Sequence, residues 1–251
     1  MRAALHHIDE LTPRIATFWF EPLEPISFIA GQFTQLHVPH ANVDNRGAER
    51  WITISSSPHE PLIGVTTSFA EHNGSSFKQA LRALTPGYVV SLAAPIGDFV
   101  LPKNTELPLV FVATGLGITP AASILGWLNH TGERRDITLL HLAAPQPPDV
   151  PTPFEELLSQ SVRRGTVRYA PDWMPQQPDT RSAHAPTRNS ARDYASDYRA
   201  KARLAELALQ KPDALFFLAG PEPFVASLAS TLREHGIAPY QIVADLFPGY
   251  A

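Results

Sequence analysis

The chain of 251 residues contains no cysteine. Without thiols it cannot form a disulfide, hold an iron–sulfur cluster through cysteine ligands or build a cysteine-ligated zinc site. Basic residues are not in excess, since 20 Lys and Arg stand against 24 Asp and Glu and give a formal net charge of -4. This balance gives no reason to expect a nucleic acid as a partner. The 10 histidines show no metal-ligand spacing, so no metal site is expected.

The chain also lacks an apolar N-terminal segment of the kind that directs secretion, so the expected location is cytoplasmic. Residues 107–128 carry no charge and are, on length alone, long enough to span a membrane. Gly115, Gly117 and Pro120 interrupt this stretch. It is therefore predicted to form a strand, a turn and a helix of a folded core rather than a membrane span.

A glycine turn directly follows an apolar, strand-prone run at residues 109–113. Gly115 and Gly117 lack a Cβ, so the backbone can turn tightly there and approach a pyrophosphate closely. Small residues then predict a helix, whose first N–H groups face the same anion. A strand, a glycine turn and a helix in this order are typical of a dinucleotide-binding loop, although an ordinary glycine-rich turn has the same local pattern.

An arginine and several hydroxyl residues are crowded together at residues 50–58. The guanidinium of Arg50 can hold a pyrophosphate through two parallel hydrogen bonds. The hydroxyls of Thr53 and Ser56 can both donate and accept at the polar edge of a ring system. For an isolated segment, an edge strand with a solvated arginine and a serine-rich turn is the preferred explanation of the pattern.

A short helix is predicted near residues 75–84, with Phe77 and Leu81 on its apolar stripe. Ser75 or Ser76 can cap it, because a serine hydroxyl accepts from the unpaired N–H groups of the first turn. This N-terminus is a second candidate anion site.

The order of predicted elements divides the chain into two parts. Residues 1–103 alternate short strands with turns around the one helix, which predicts a small antiparallel barrel of the Greek-key type. Its predicted strands are 15–20, 33–38, 51–55, 62–68, 88–92 and 99–101. Residues 104–251 alternate strands and helices, which predicts a doubly wound parallel sheet. Its predicted strands are 110–113, 137–142, 166–169, 214–219 and 241–244, and its predicted helices are 119–130, 152–160, 200–210 and 222–235.

Taken in chain order, these motifs resemble the ferredoxin–NADP reductase superfamily of flavin oxidoreductases. The matching segments are Gly31-Gln32-Phe33, residues 50–56, 74–76, 95–99 and 115–120, and Gly220-Pro221. The resemblance covers residues 1–170 and 204–251. It implies an FAD-binding barrel at 1–103 and an NAD(P)-binding α/β domain at 104–251.

The resemblance also implies a mechanism and a set of site residues. A hydride from NADH or NADPH would pass to flavin N5, and electrons would then leave to a separate carrier protein such as ferredoxin. Arg50 would clamp the FAD pyrophosphate, and Thr53 would approach N5. The other implied cofactor contacts are Trp51, Ile52, Ser56, Gly74, Ser75 and Ser76 for FAD, and Thr114, Gly115, Gly117, Thr119, Pro120, Gly220, Pro221 and Glu222 for the nicotinamide nucleotide. A terminal aromatic ring, Tyr250 or Phe247, would cover the flavin face, unless it belongs to a tail packed on the barrel.

The sequence departs from the family pattern at three places. Ile52 replaces the usual aromatic residue, so any ring contact to the flavin comes from elsewhere, with Trp51 as one source. Ala219 replaces the cysteine that often precedes Gly-Pro. Residues 141–144 offer neither an arginine nor a serine for a 2′-phosphate, which leaves NADH and NADPH both open with a lean to NADH.

Residues 171–203 contain no Leu, Ile, Val or Phe and are expected to form a mobile insert. The functional alternative is a lid over the nicotinamide cleft or a docking arm for an electron partner.

Three functions remain open at this point. The first is an NAD(P)H-dependent FAD reductase that serves an electron-acceptor protein, and this one is preferred. The second is a flavin reductase or diaphorase with a small-molecule acceptor. The third is a flavin- or nucleotide-binding regulatory module without turnover.

Overall fold

A computed structural model describes residues 1–70, 74–142, 153–169 and 190–247. The first half contains β1 (Arg2–Thr12), β2 (Ile15–Pro22), β3 (Phe33–His37), β4 (Glu49–Thr53), β5 (Ile63–Ser68), α1 (Ser76–Arg82) and β6 (Val89–Leu92). The second half contains β7 (Leu109–Thr114), α2 (Ile118–Thr131), β8 (Ile137–Leu142), α3 (Glu155–Arg163), β9 (Arg168–Tyr169), α4 (Ser190–Gln210), β10 (Leu215–Pro221), α5 (Glu222–Glu234) and β11 (Ile242–Phe247). Short 3₁₀ turns occur at Gly115–Gly117 and Pro239–Gln241.

The first sheet has six antiparallel strands in the order β4-β3-β6-β1-β2-β5. Its two edge strands meet again just beyond the end of β4, where Ile54 forms a bridge with Val65 of β5. The sheet thus curls into a barrel, which covers its edges. Phe18, Phe20 and Leu36 are fully buried in its core, together with Phe77 and Leu81 from α1.

The second sheet has five parallel strands in the order β11-β10-β7-β8-β9. Helices α2 and α3 cover one face, and α4 and α5 cover the other. The strand order reverses between β7 and β10, because β8 and β9 extend to one side of β7 while β10 and β11 extend to the other. In doubly wound sheets such a switch point opens a crevice at the carboxyl ends of the strands.

The predicted fold class is confirmed, and some of the local predictions are wrong. Strand β1 was not predicted, because Glu10 and the neighbouring polar residues on its half-exposed face mask its alternation. Residues 99–101 form no strand. Phe99 instead leaves the barrel and packs between Phe111 and Phe217, with ring centroids 6.0 and 4.9 Å away.

The last part of the predicted mobile insert at 171–203 is helical, and its mobility and role stay predictions. Helix α4 begins at Ser190, so residues 190–203 are helical. Their Ala, Arg and Lys residues have high helix propensity. The segment lacks the periodic apolar residues from which a helix is usually predicted, so this helix was not expected. Residues 171–189 lie outside the described part of the chain, and the division at residues 103 and 104 stays a prediction.

The uncharged stretch 107–128 forms β7, the 3₁₀ turn and most of α2, as predicted. Within the described residues, no helix has the length and apolar character needed to cross a bilayer.

Candidate functional site

The glycine turn lies at the switch point of the parallel sheet, where β7 ends beside β10. A Cβ on Gly117 would lie 2.2 Å from the carbonyl oxygen of Ala219, so only glycine allows the turn to approach β10 this closely. Thr114 packs against Gly220 at the same edge. The structure therefore brings together four of the residues predicted for nucleotide binding: Thr114, Gly115, Gly117 and Gly220.

A cleft of about 290 Å³ opens next to this edge, between the barrel and the last strand of the parallel sheet. It is lined by Phe33, Trp51, Ile52, Thr53, Ile96, Asp245, Leu246 and Phe247. Strand β11 pairs with β10 so that Phe247 lies beside Pro221. The predicted residues Trp51, Ile52, Thr53 and Phe247 thus share one cavity, whereas Tyr250 lies outside the described residues.

Thr53 and Asp245 form the polar centre of this otherwise apolar cleft. The Thr53 hydroxyl donates a hydrogen bond of 3.3 Å to the Asp245 carboxylate. Burial raises the pKa of Asp245 from 3.8 to about 6, and the hydrogen bond from Thr53 acts in the opposite direction. A carboxyl group in this range exchanges protons close to neutral pH.

Asp245 was missed in the sequence analysis. A signal was present, because Asp245 is an acidic residue within a strand-prone run that closes a parallel sheet. The carboxyl ends of such strands border the ligand crevice. Predicting the last strand to end at residue 244 instead of Phe247 placed Asp245 outside it.

Aromatic rings form one wall of the cleft. Phe33 and Trp51 meet edge to face, with centroids 5.5 Å apart. Trp51 remains 43% exposed and Ile96 47% exposed, so this wall reaches the surface. Trp51 therefore supplies an aromatic surface next to Ile52.

Arg50 is almost completely buried on β4, on the opposite side of the strand from Trp51. Its Nη1 donates to the carbonyl oxygens of Arg46, Gly47 and Glu49 at 2.5 to 3.1 Å. Burial lowers the pKa of Lys78, and repulsion from the nearby Arg50 lowers it further. Two cations held this close together favour an anion beside them.

The first turn of α1 is arranged differently from the prediction. Ser75 is the N-cap and accepts from the Lys78 amide at 3.3 Å, as its predicted capping role requires. The Ser76 amide, expected to face a pyrophosphate, donates to the Asp44 carboxylate at 2.8 Å. This bond is the main reason that the pKa of Asp44 falls to about 2, and an ion pair with Arg46 contributes. A Cβ on Gly74, just before the helix, would meet open space.

Four further predicted residues contribute to packing or lie at the surface. Ser56 accepts from the Gly64 amide at 2.9 Å through its hydroxyl. The buried Thr119 donates its hydroxyl to the Leu116 carbonyl at 2.9 Å. Pro120 is buried next to it, and Glu222 is exposed at the start of α5. The side chains of Ser56 and Thr119 thus stabilise the loops that carry the site.

Among the residues described, no group of three or more His, Asp and Glu side chains is arranged to hold a metal ion.

No protein-family model matches the chain. Among curated proteins, the flavohemoprotein of Bordetella pertussis is 26% identical over 241 residues, covering 93% of this chain and 57% of that protein. The glycine betaine monooxygenase reductase subunit of Pseudomonas aeruginosa is 27% identical over 228 residues, covering 88% and 57%. The chain spans about half the length of the curated relatives it matches.

Solved structures match nearly the whole chain. The FAD/NAD-binding domain of nitric oxide dioxygenase from Vibrio cholerae has a TM-score of 0.71 at 18% identity, with 98% of each chain covered. Ferredoxin–NADP⁺ reductase from Plasmodium falciparum has a TM-score of 0.75 at 14% identity, covering 98% of this chain and 95% of that one. The fold is thus that of the two-part domains in which an antiparallel barrel precedes a doubly wound sheet. The fold that the sequence resemblance implies is therefore confirmed.

Proposed function

We propose that the chain is an NAD(P)H-dependent flavoprotein oxidoreductase that binds FAD and passes electrons to a separate acceptor. The observation that carries this proposal is the Thr53–Asp245 pair, which lies in an apolar cleft beside the switch point of the nucleotide-type sheet. A hydroxyl and a carboxyl group placed there can hold a proton for a redox cofactor that accepts a hydride.

The cleft fits the ring end of FAD in size and in lining. Binding pockets begin at about 300 Å³ and combine apolar walls with a few polar groups, and this cleft has a volume of about 290 Å³. Phe33, Trp51 and Phe247 offer apolar and aromatic faces to a flat ring. When bound, FAD supplies a ring that accepts a hydride and releases electrons onward.

Thr53 and Asp245 have complementary parts in this proposal. The Thr53 hydroxyl is held at the wall of the cleft and can donate or accept there. Asp245, with a pKa near 6, can take or supply a proton through that hydroxyl at neutral pH.

Arg50 and Lys78 support the pyrophosphate end of the proposal. Burial is the main cause of the lowered pKa of Lys78, and an anion near both side chains would relieve the repulsion from Arg50 that lowers it further. The Ser76 amide is engaged by Asp44, so we assign the pyrophosphate to the two cations rather than to the start of α1.

The glycine turn at Gly115–Gly117 supports binding of NADH or NADPH. It lies at the switch point, where doubly wound sheets bind their ligands, and it precedes the 14-residue helix α2. The pairing of β10 with β11 brings Phe247 close to this edge, which supports a nicotinamide ring bound near the flavin cleft.

The preferred acceptor is a protein, such as ferredoxin or an oxygenase component. The Pseudomonas relative is a reductase subunit, a name that implies a partner. These 251 residues contain no cysteine to ligate an iron–sulfur cluster, so a cysteine-ligated relay would have to lie outside them. A small-molecule acceptor is the alternative, and a binding module without turnover is the third possibility.

Anaerobic stopped-flow mixing of the FAD-loaded protein with NADH or NADPH tests the proposal. We expect rapid bleaching of the flavin absorbance near 450 nm by at least one nucleotide, and the ratio of the two rates gives the preference. If FAD binds and neither nucleotide bleaches it, the module without turnover replaces the reductase.

The salt dependence of steady-state turnover separates the two kinds of acceptor. Charge-steered encounters between proteins slow as salt screens them, whereas reduction of a neutral quinone does not. We expect turnover with ferredoxin to fall strongly between low and high ionic strength. Efficient turnover with the quinone alone would favour the diaphorase.

A further inference from the structure

Strand β8 carries a histidine where a parallel strand ordinarily has an apolar residue. All six residues of Ile137–Leu142 are buried, and only Thr138 and His141 among them are polar. Parallel strands covered on both faces usually form continuous apolar runs. His141 is 3% exposed. Burying its polar ring costs free energy unless the ring is hydrogen-bonded, so the position needs an explanation.

Within the described part of the chain, the ring of His141 makes one hydrogen bond, to the glycine turn. Its Nε2 lies 2.9 Å from the carbonyl oxygen of Gly115. A carbonyl oxygen can only accept, so the proton is on Nε2. Nδ1 is buried and has no hydrogen-bond partner among the described residues. Burial lowers the pKa of His141, with the bond to Gly115 opposing it, which favours the neutral ring.

Gly115 is the residue at which the turn changes direction. Its φ of +52° is in the left-handed region, which favours glycine. A Cβ there would meet open space, so the preference comes from the backbone conformation and not from a steric clash. The next carbonyl, that of Leu116, accepts from the Thr119 hydroxyl at 2.9 Å. Two successive carbonyls of the turn thus accept from buried side chains, in addition to the backbone N–H of Ile118.

Because the peptide bond is planar, a hydrogen bond that fixes a carbonyl group also fixes the direction of the N–H group in the same peptide unit. In a trans peptide the N–H points opposite to the preceding carbonyl. With the Gly115 and Leu116 carbonyls directed toward His141 and Thr119, the N–H groups of Leu116 and Gly117 point away from these side chains. Oriented backbone N–H groups of this kind bind phosphate.

We propose that His141 is a positioning residue for the nicotinamide nucleotide, holding the Gly115 carbonyl as a neutral Nε2–H donor so that the N–H groups of the turn face the pyrophosphate. The inference rests on the proposed function, because it deepens the role of the same turn. It assigns the buried ring to ligand binding rather than to stability. Leucine at this position would complete the apolar run of β8 and lose the donor.

Three variants in the FAD-loaded protein test this assignment. His141→Leu removes the donor, His141→Gln carries an amide with the reach of Nε2, and His141→Asn carries one that is too short. We measure dissociation constants for NAD⁺ and NADP⁺ by calorimetry, KM and kcat for the preferred nucleotide, and the unfolding temperature. We expect Leu and Asn to weaken nucleotide binding about tenfold, the effect of one lost hydrogen bond, with KM rising more than kcat falls. Gln should restore binding to within about threefold, and the Leu variant should unfold no earlier than wild type.

Nitrogen-15 NMR of the histidine rings gives a readout independent of turnover. The resonances lost in His141→Gln belong to His141, and they should have the shifts of a neutral ring protonated at Nε2.

The inference is overturned if His141→Leu binds nucleotide as wild type does, if Gln and Leu weaken binding equally while both lower the unfolding temperature, or if Nδ1 carries the proton. Wild-type protein that binds neither nucleotide refutes the proposed function first, and the inference with it.

Discussion

At the scale of single residues, Thr53 and Asp245 are 192 positions apart in the chain and meet at one hydrogen bond. We expect Thr53→Val to slow flavin reduction by about tenfold, since it removes one hydrogen bond and the hydroxyl route to Asp245 while preserving shape. Thr53→Ser keeps the hydroxyl and should stay within about threefold of wild type. Stopped-flow reduction at saturating nucleotide checks this, and equal rates for Val and Ser would contradict a role of the hydroxyl.

Asp245 should make the folded state less stable as the pH rises. Its folded-state pKa of about 6 is above the ordinary aspartate value of 3.8, so the folded state binds the proton more tightly than the unfolded state does. The carboxyl group therefore reduces stability as pH rises from about 4 through 6. We expect Asp245→Asn to be more stable than wild type at pH 7.5, by at most about 3 kcal/mol, with the difference vanishing toward pH 4.

Urea unfolding of both proteins at pH 4.5, 6 and 7.5 measures this difference. A gain that is the same at all three values would contradict titration of Asp245 as its cause. The same variant should reduce flavin more slowly, because the proton-holding group is gone. Stability and activity then move in opposite directions, as at sites that store an unfavourable charge.

At the scale of elements, one face of helix α2 is fitted to the loop that follows β4. Ser123 donates to the Ser56 carbonyl at 2.6 Å. His130 stacks on His59, with ring centroids 3.9 Å apart and planes tilted by 6°. Between them, Gly126 lies against Ser57. These positions of α2 are three and four residues apart, which places them on one face of the helix. The contacts connect the strand that carries Thr53 to the helix that follows the glycine turn.

Gly126 is the position at which this fit can be tested. Glycine within a helix is about 1 kcal/mol less favourable than alanine, yet a Cβ here would lie 3.0 Å from Ser57 Cβ. We expect Gly126→Ala to be nearly neutral, because gained helix propensity offsets the tight contact. Gly126→Leu should destabilise by about 1–3 kcal/mol through overpacking. Chemical denaturation followed by circular dichroism measures the free energy of unfolding of both variants. A Leu variant as stable as wild type would show that the Ser57 loop can move to make room.

The parallel half was easier to predict from sequence than the barrel and the cleft. Strands β7 and β8 are apolar runs ended by a glycine turn or a polar segment, so local pattern sufficed for both. Strand β1 has a polar face that hides its alternation, and Phe99 leaves its expected strand for an aromatic cluster assembled from distant segments. The Thr53–Asp245 pair forms where the barrel packs against the last strand of the parallel sheet. Tertiary packing determines this contact, so local sequence pattern could not predict it.

At the scale of the whole molecule, the candidate site uses both sheets. Thr53 and Trp51 come from the barrel, and Asp245 and Phe247 come from the last strand of the parallel sheet. A ligand in the cleft contacts both, so its binding should stabilise the chain against unfolding of either part. The cations Arg50 and Lys78 belong to the barrel alone. The flavin ring and the pyrophosphate of FAD should therefore contribute separately to this stabilisation.

Thermal unfolding of flavin-free protein with FAD, and separately with riboflavin, tests this separation. A ligand at 100 times its dissociation constant stabilises by about 2.7 kcal/mol, which for a chain of this length raises the midpoint by about 5–10 °C. We expect FAD to reach this range and riboflavin, which lacks the pyrophosphate, to raise the midpoint less at equal concentration. Trp51→Ala should reduce both shifts, whereas Lys78→Gln should reduce only the shift with FAD. Equal shifts for the two flavins would contradict the assignment of Arg50 and Lys78, and no shift with either would contradict the flavin cleft.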